Sequence, residues 1–210
     1  MEIDKVLQRY KENYCRIFEK IYPSHGGTGF TERNLSVNFA KAYESVYPDA
    51  ITWYEFQFGK RNSQHYDAII VDPENKKLIV IESKRFTNTE KKIESVGNDI
   101  ERIREFEEAT YLYEFNKRIP DLQDYSVVGV ILADVWTEGS EKPKIKQSFE
   151  NETFLQDYRE NLSLGEHPDS WFLEGQYFCK GFSDINTPNL ERGNTIPTNY
   201  YLVGMIWNVT

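Results

Sequence analysis

The chain has 210 residues, a formal net charge of −9, 39% hydrophobic residues and 28% charged residues. This composition predicts one folded domain over residues 1–210 and excludes an intrinsically disordered chain. The acidic charge argues against a protein that binds duplex DNA through a broad basic surface, so any contact with nucleic acid needs a local basic patch. No apolar run approaches the roughly 18 residues that cross a bilayer, and no secretory signal is visible. We therefore expect a cytoplasmic protein without membrane contact.

Hydrophobic periodicity predicts two helices at the start of the chain. Apolar residues recur at helical spacing over Asp4–Tyr22, and Pro23 ends that segment. Thr31 is a typical N-cap for a second helix, which continues to about Tyr47. These two helices precede every predicted strand.

Three strands, a long helix and a fourth strand are predicted next. The patterns place them at Ile51–Phe58, His65–Asp72, Lys77–Arg85, Lys92–Arg118 and Tyr125–Trp136. A polar turn at Pro73–Lys76 joins the second and third strands. The fourth strand is apolar almost throughout, which is typical of a strand that is covered on both faces.

The C-terminal region predicts a short helix and two further strands. We place them at Phe149–Asn161, Trp171–Lys180 and Asn199–Val209, with a polar, proline-containing loop between the two strands. The many aromatic residues of this region either extend the sheet and core or form a homodimer surface. Core packing is the favoured interpretation, and a homodimer is the alternative.

The order of these elements predicts the fold class. It is an α/β fold of the α+β kind, with a mixed β-sheet flanked by helices. An αβββαβ core spans about residues 30–136, after an N-terminal helix. A β-rich C-terminal extension spans about residues 147–210 of the same domain.

The predicted hairpin brings three charged residues together. If Asp72 pairs with Lys77, an antiparallel ladder places Asp67 directly opposite Glu82, with both side chains on one face. Lys84 lies two residues beyond Glu82 and therefore shares that face. A slip of one residue in the register would separate the two acids.

This group has a chemical interpretation and a purely structural one. Two acids opposed on a covered strand pair are destabilising unless a cation lies between them, and Mg²⁺ takes oxygen ligands. Lys84 beside such an ion can orient a water molecule or stabilise charge on a phosphate, which suits phosphodiester hydrolysis. The structural alternative is a salt bridge at a strand end, with Lys84 paired to Asp67 or Glu82.

The sequences YDAIIV at residues 66–71 and IVIESK at residues 79–84 resemble the PD-(D/E)xK, or restriction-endonuclease-like, nuclease superfamily. The resemblance covers about residues 30–136. It implies cleavage of DNA, or less often RNA, with Mg²⁺ or Mn²⁺, with Asp67 and Glu82 as metal ligands and Lys84 as the catalytic lysine. Tyr66 stands where the motif has proline.

The resemblance also implies an acidic residue on the helix that precedes the sheet. Glu32 is the first candidate for this further catalytic and metal-ligating position, and Glu44 is the second. Glu32 fits equally well as a helix N-terminal acid that the helix dipole favours.

Several polar residues near the predicted site are candidates for binding the substrate. Gln57 on the first strand and His65 on the second flank the predicted hairpin, and His65 is expected to share the face of Asp67 and to lie opposite Lys84. Lys84, Arg85, Lys91 and Lys92 form the best local basic patch for a phosphate backbone. The alternative is that these are solvent-exposed surface side chains. Asp99 and Arg102 are three residues apart on the long helix and are expected to pair.

Two functions follow as expectations. The first is a metal-dependent nuclease of restriction, defence or repair type whose partner is nucleic acid, with DNA as the first expectation. The second is a catalytically silent module on the same fold whose acidic surface contacts a protein. Mn²⁺ binding that is lost on mutation of Asp67 would favour the enzyme.

Overall fold

The structure is a computed structural model that describes residues 2–20, 31–57, 65–85, 89–106, 124–138, 176–189 and 194–209. These ranges contain three helices and six strands. In chain order they are α1 (Ile3–Lys20), α2 (Glu32–Val46), β1 (Ile51–Gln57), β2 (His65–Asp72), β3 (Lys77–Arg85), α3 (Thr89–Glu105), β4 (Ser126–Glu138), β5 (Gln176–Asn189) and β6 (Asn194–Asn208). Of the described helices, none combines the length and the apolar character that a bilayer span requires.

The six strands form one mixed sheet in the order β1-β2-β3-β4-β6-β5. Only β3 and β4 pair in parallel among these neighbours, and α3 lies between them in the chain. The remaining neighbours are antiparallel. The predicted mixed sheet flanked by helices is therefore present, and the C-terminal strands continue the same sheet.

The helices cover both faces of the sheet. Helices α1 and α2 pack on a face to which β2 and β3 contribute Ala68, Ile70, Ile79 and Ile81. Helix α3 packs on the opposite face, to which the same strands contribute Ile69, Leu78 and Val80. We call these the α1/α2 face and the α3 face. Burial on both faces explains why β2 and β3 are apolar almost throughout.

The turn between β2 and β3 is fixed by the side chain of Asp72, which is fully buried. Its carboxylate accepts the backbone N–H of Asn75 at 3.0 Å and the Asn75 side-chain amide at 2.8 Å. The hydroxyl of Tyr43 on α2 donates to the same carboxylate at 2.6 Å. Lys76 closes the turn in the left-handed region with φ 51°. Asp72 therefore pairs with Lys77, which confirms the predicted register as far as Ala68↔Ile81, and the predicted pair of Asp67 with Glu82 lies beyond this ladder.

Helix α3 differs in length from its prediction. It begins at Thr89 and ends at Glu105, whereas the sequence pattern predicts an end near Arg118. At its end the N–H of Phe106 donates to the carbonyl of Ile103 at 3.2 Å, which is a tighter turn than an α-helical one. The predicted segment after this turn lies outside the described residues.

The C-terminal strands are longer than predicted. Strands β5 and β6 pair from Gln176↔Ile206 to Asn189↔Asn194, so the prediction of a polar loop is wrong for residues 181–189 and 194–198. The aromatic side chains of Tyr200, Tyr201 and Trp207 are buried, which confirms core packing for them. The predicted helix over 149–161 lies outside the described residues, and a homodimer stays a prediction.

Candidate active site

The candidate site lies where β2 separates from β3. The ladder between these strands runs from Asp72↔Lys77 to Ala68↔Ile81. One residue further, the Asp67 carboxylate accepts the backbone N–H of Ser83 at 2.7 Å. A side-chain oxygen of Asp67 therefore takes the place of a backbone acceptor from β2, next to Glu82.

A local distortion of β1 and β2 turns Asp67 out of the regular strand pattern. The β1–β2 ladder pairs Tyr54 with Ala68 and Phe56 with Tyr66, and it passes over Glu55 and Asp67. Ala68 belongs to the core of the α1/α2 face, whereas Tyr66 belongs to that of the α3 face.

Residues two apart on a regular strand share a face, so β2 changes faces at Asp67. The cause on the neighbouring strand is Glu55, whose φ of 51° lies in the left-handed region. Such a conformation is uncommon for a residue other than glycine. It persists only where the surrounding structure enforces it.

Glu82 is the most buried acid of the site, with 2% of the residue exposed. Burial raises the pKa of Glu82 to about 8, and the negative charges of Asp99 and Asp67 add to that shift. The cations Arg102 and Lys84 oppose the shift without cancelling it. The Arg102 guanidinium nevertheless donates to the Glu82 carboxylate through Nη2, so a helix residue partners this strand acid.

Lys84 lies on the α3 face and pairs with Asp99, with 2.7 Å between Nζ and Oδ2. Burial lowers the pKa of Lys84, but the hydrogen bond and charge of Asp99 outweigh burial. The charges of Glu82 and Asp67 act in the same direction, so the pKa of Lys84 lies above its ordinary value. Lys84 is therefore a cation at neutral pH, and Asp99 positions it.

The surroundings of Asp67 disfavour the ionised form of its carboxyl group. Burial raises the pKa of Asp67, while the Ser83 N–H and the charge of Lys84 lower it. The negative charges of Glu32 and Glu55 raise it again, and the net shift is upward. The structure thus brings Asp67, Glu82 and Lys84 into one group of interacting charges.

The site has a formal shortage of positive charge. When all five groups are ionised, the three carboxylates of Asp67, Glu82 and Asp99 exceed the two cations, Lys84 and Arg102, by one negative charge. Mg²⁺ is commonly held by one or two carboxylates with water and substrate phosphates completing its shell. The carboxylates of Asp67 and Glu82 are near enough for the charge of one to act on the other. Among the described residues, no group of three or more potential ligands gathers around one point.

Glu32 lies close to the site but makes a different observed contact. Its Oε1 accepts the backbone N–H of Arg85 at 2.9 Å, and its charge acts on Asp67. Its role as a metal ligand stays a prediction. The second candidate, Glu44, accepts the hydroxyl of Thr52 at 2.6 Å near the opposite end of α2.

The two residues predicted to flank the hairpin lie at the edge of the sheet. Gln57 and His65 are exposed and pair with each other across β1 and β2. The imidazole of His65 lies 2.9 Å from the carboxylate of Glu55. Since the β2–β3 ladder ends at Ala68, the expected position of His65 opposite Lys84 is not part of that ladder.

Two members of the predicted basic patch, Lys84 and Arg85, lie on different faces of the sheet. Neighbouring residues on a strand point to opposite faces, so Lys84 and Arg85 are separated by the sheet. Lys84 pairs with Asp99 on the α3 face. Arg85 lies next to Asp134 of β4 and lowers its pKa. The side chains of Lys91 and Lys92 lie outside the described residues.

Two site residues, and one buried acid on the other face of the sheet, were missed or underestimated from the sequence. Asp99 and Arg102 form the predicted pair at 2.8 Å, but the sequence did not indicate that they also reach Lys84 and Glu82. Asp134 is 2% exposed, and burial raises its pKa to about 7. A lone acid inside the apolar β4 sequence was the available signal.

Comparison with protein families, with curated proteins and with solved structures found none that matches this chain.

Proposed function

We propose that this protein is a nuclease that hydrolyses phosphodiester bonds in nucleic acid, foremost DNA, with Mg²⁺ or Mn²⁺, as a restriction, defence or repair enzyme. One observation carries the proposal: Asp67, Glu82 and Lys84 interact at the point where β2 leaves β3, and both acids have raised pKa values. Acids whose pKa values are raised by burial and by neighbouring charges are a frequent mark of a functional site.

The metal would be held by the carboxylates of Asp67 and Glu82. A bound divalent ion polarises phosphate oxygens and makes a coordinated water more acidic. The Ser83 N–H fixes one oxygen of Asp67, so this carboxylate is oriented before any ligand arrives. Preorganised groups of this kind cost no rearrangement when the reaction begins.

Lys84 supplies the positive charge for the substrate. Its ammonium group is held by Asp99 at 2.7 Å, and 15% of the Lys84 side chain is exposed to solvent. In this role Lys84 orients the attacking water or stabilises charge that develops on the phosphate. Asp99 acts as its positioning residue.

A second candidate function has its own support. The pairs Glu82–Arg102 and Lys84–Asp99 neutralise four charges within the protein. A silent binding module on this fold needs no more than such pairs to remain stable. The net charge of −9 suits a protein partner better than a DNA partner.

Cleavage assays separate the two candidates. Plasmid, linear duplex, single-stranded DNA and RNA are incubated with Mg²⁺ or Mn²⁺ and the wild type, Lys84→Ala or Lys77→Ala. Lys77 is the matched control because it lies at the other end of β3, where it donates to Ser126. We expect the wild type and Lys77→Ala to cut, and Lys84→Ala to lose about a hundredfold in rate.

Calorimetric titration with Mn²⁺ completes the test. Stoichiometric binding that disappears in Asp67→Asn is expected for the nuclease. Binding without cleavage of any of the four substrates would favour the silent module. A wild type that neither binds Mn²⁺ nor cuts would overturn the proposed function.

A further inference from the structure

Arg102 brings a charge from α3 into the site, on the same carboxylate that the proposed function assigns to the metal. Its Nη2 donates to Oε1 of Glu82 and, at 2.8 Å, to Oδ1 of Asp99. The guanidinium lies over the ring of Tyr66, with 5.5 Å to the ring centroid. The hydroxyl of Tyr66 also donates to the backbone carbonyl of Arg102 at 3.0 Å. Several contacts therefore place this guanidinium against Glu82.

A guanidinium and a divalent ion cannot both occupy the near side of one buried carboxylate. Two cations in contact repel strongly where little water screens them. Glu82 has 3% of its side chain exposed, so its oxygens have few alternative directions of approach. A cation that binds Oε1 of Glu82 therefore has to displace Arg102.

Asp99 keeps Arg102 within the site after such a move. It lies three residues before Arg102 on α3, and 6% of its side chain is exposed. The guanidinium has five N–H donors in a fixed fork, which allows it to remain on Asp99 while it binds a phosphate. Asp99 also holds Lys84, so both cations stay at the same edge of the site.

We infer that Arg102 is a built-in counter-ion of Glu82 that the divalent metal displaces, and that the displaced guanidinium binds a phosphate of the nucleic-acid substrate. This inference rests on the proposed function and adds to it a regulatory step and a substrate-binding residue. Metal entry and substrate binding are then coupled through one side chain.

Mn²⁺ calorimetry of Arg102→Gln tests the displacement, with Arg104→Gln as the matched control. Both substitutions remove one positive charge from the last turn of α3, but Arg102 is the residue that contacts Glu82. The Arg102 guanidinium lowers the apparent affinity for Mn²⁺, because the metal can bind only in the fraction of molecules in which this guanidinium has left Glu82. We therefore expect Arg102→Gln to bind Mn²⁺ about tenfold more tightly than the wild type. Arg104→Gln should stay within about twofold of the wild type.

Chemical modification of the wild type tests the same point without a variant. Phenylglyoxal reacts with accessible guanidinium groups, and peptide mass spectrometry measures the rate at Arg102. We expect Mn²⁺ to raise the modification rate of Arg102 several-fold. A short DNA duplex that is added together with Ca²⁺ should lower this rate again. Arg104 in the same digest serves as the internal reference.

The outcomes distinguish this inference from the proposed function. Equal Mn²⁺ affinities of Arg102→Gln and Arg104→Gln, or a modification rate that Mn²⁺ leaves unchanged, would overturn the displacement. Modification that duplex DNA does not reduce would overturn phosphate binding by Arg102. Mn²⁺ binding that Asp67→Asn fails to abolish would instead overturn the proposed metal site itself.

Discussion

The carboxylate of Asp67 accepts the backbone N–H of Ser83 at 2.7 Å, where β3 has lost its β2 neighbour. Two residues further, Glu32 of α2 accepts the N–H of Arg85 at 2.9 Å. Alternate N–H groups of a strand point to the same neighbour, so these acids replace successive acceptors of β2. The acids beside the site are thus also part of the sheet's hydrogen bonding, and substitutions must preserve an acceptor to be informative.

Glu32 shows how this matters for a test. Glutamine at this position keeps a side-chain oxygen for the Arg85 N–H and removes a negative charge that acts on Asp67. We expect the free energy of unfolding of Glu32→Gln to lie within about 0.5 kcal/mol of that of the wild type. For Glu32→Ala we expect it to fall by about 1–2 kcal/mol, because the Arg85 N–H loses its acceptor. Urea denaturation measures both.

The same two variants test whether Glu32 binds metal. If its observed contact with Arg85 is its whole role, Glu32→Gln binds Mn²⁺ within about threefold of the wild type. A loss of more than about tenfold would support the predicted ligand role, because an amide is a much poorer ligand than a carboxylate for a hard cation.

The register of the site was predictable because local chemistry determines it. Asp72 and Asn75 form the turn through contacts between near neighbours in the chain, and that turn fixes which residues face each other. The spacing of Glu82 and Lys84 on a strand then places both on one face. Nothing distant enters either step.

The remaining features of the site were not predictable because distant or irregular structure determines them. A non-glycine residue in the left-handed region, Glu55, has no signature in hydrophobic periodicity, which assumes a regular strand. The contacts of Arg102 with Glu82 depend on how α3 lies across the sheet. The sequence showed only the local pair of Arg102 with Asp99.

Two prolines are the reason why the C-terminal strands were predicted to be too short. Pro188 lies on β5, which is at the edge of the sheet, and Pro197 lies on β6 beyond the last residue that pairs with β4. Proline is tolerated in both settings, because no further strand requires its missing N–H. The topology that makes these positions permissible is not visible in the sequence.

Two glycines provide a paired test of the packing behind the site. A Cβ at Gly129 of β4 would lie 2.3 Å from the ring of Trp207, whereas one at Gly97 of α3 meets nothing within 4 Å. We expect Gly129→Ala to lose about 1–3 kcal/mol by overpacking, and Gly97→Ala to gain about 0.5–1 kcal/mol from helix propensity. Thermal unfolding and urea denaturation give both values. Similar shifts of the same sign would contradict the packing of Trp207 on β4.

Asp72 is the residue on which the register depends. Its substitution by alanine leaves the hydroxyl of Tyr43 and the N–H of Asn75 without their buried acceptor. We expect Asp72→Ala to lower the free energy of unfolding by about 2–4 kcal/mol. Asp49→Ala, at an exposed position after α2, is the control and should stay within about 0.5 kcal/mol of the wild type. A mild effect at Asp72 would show that the turn does not fix the hairpin.

The pH dependence of stability tests the electrostatics of Glu82. Its pKa is raised from 4.5 to about 8, so the folded protein keeps this proton over a range in which the unfolded chain has lost it. The unfolded state binds fewer protons there, and the contribution of Glu82 to the free energy of unfolding falls as pH rises from 4.5 to about 8. Glutamine cannot ionise, so the stability of Glu82→Gln relative to the wild type should rise across this window, by up to about 5 kcal/mol without metal.

Mn²⁺ separates Glu82 from the other buried acid, Asp134, whose pKa is raised from 3.8 to about 7. Asp134→Asn should show the same trend over that lower window, since burial is again the main cause. A metal held by Glu82 requires the ionised carboxylate and binds only the folded protein. Mn²⁺ should therefore stabilise the wild type more at high pH than at low pH. It should also abolish the stability advantage of Glu82→Gln over the wild type. The relative stability of Asp134→Asn should be unchanged by Mn²⁺, because Asp134 lies on the α1/α2 face with Tyr200. Urea denaturation in EDTA and in Mn²⁺ measures these differences, and an equal response of the two variants to the metal would place the ion somewhere other than Glu82.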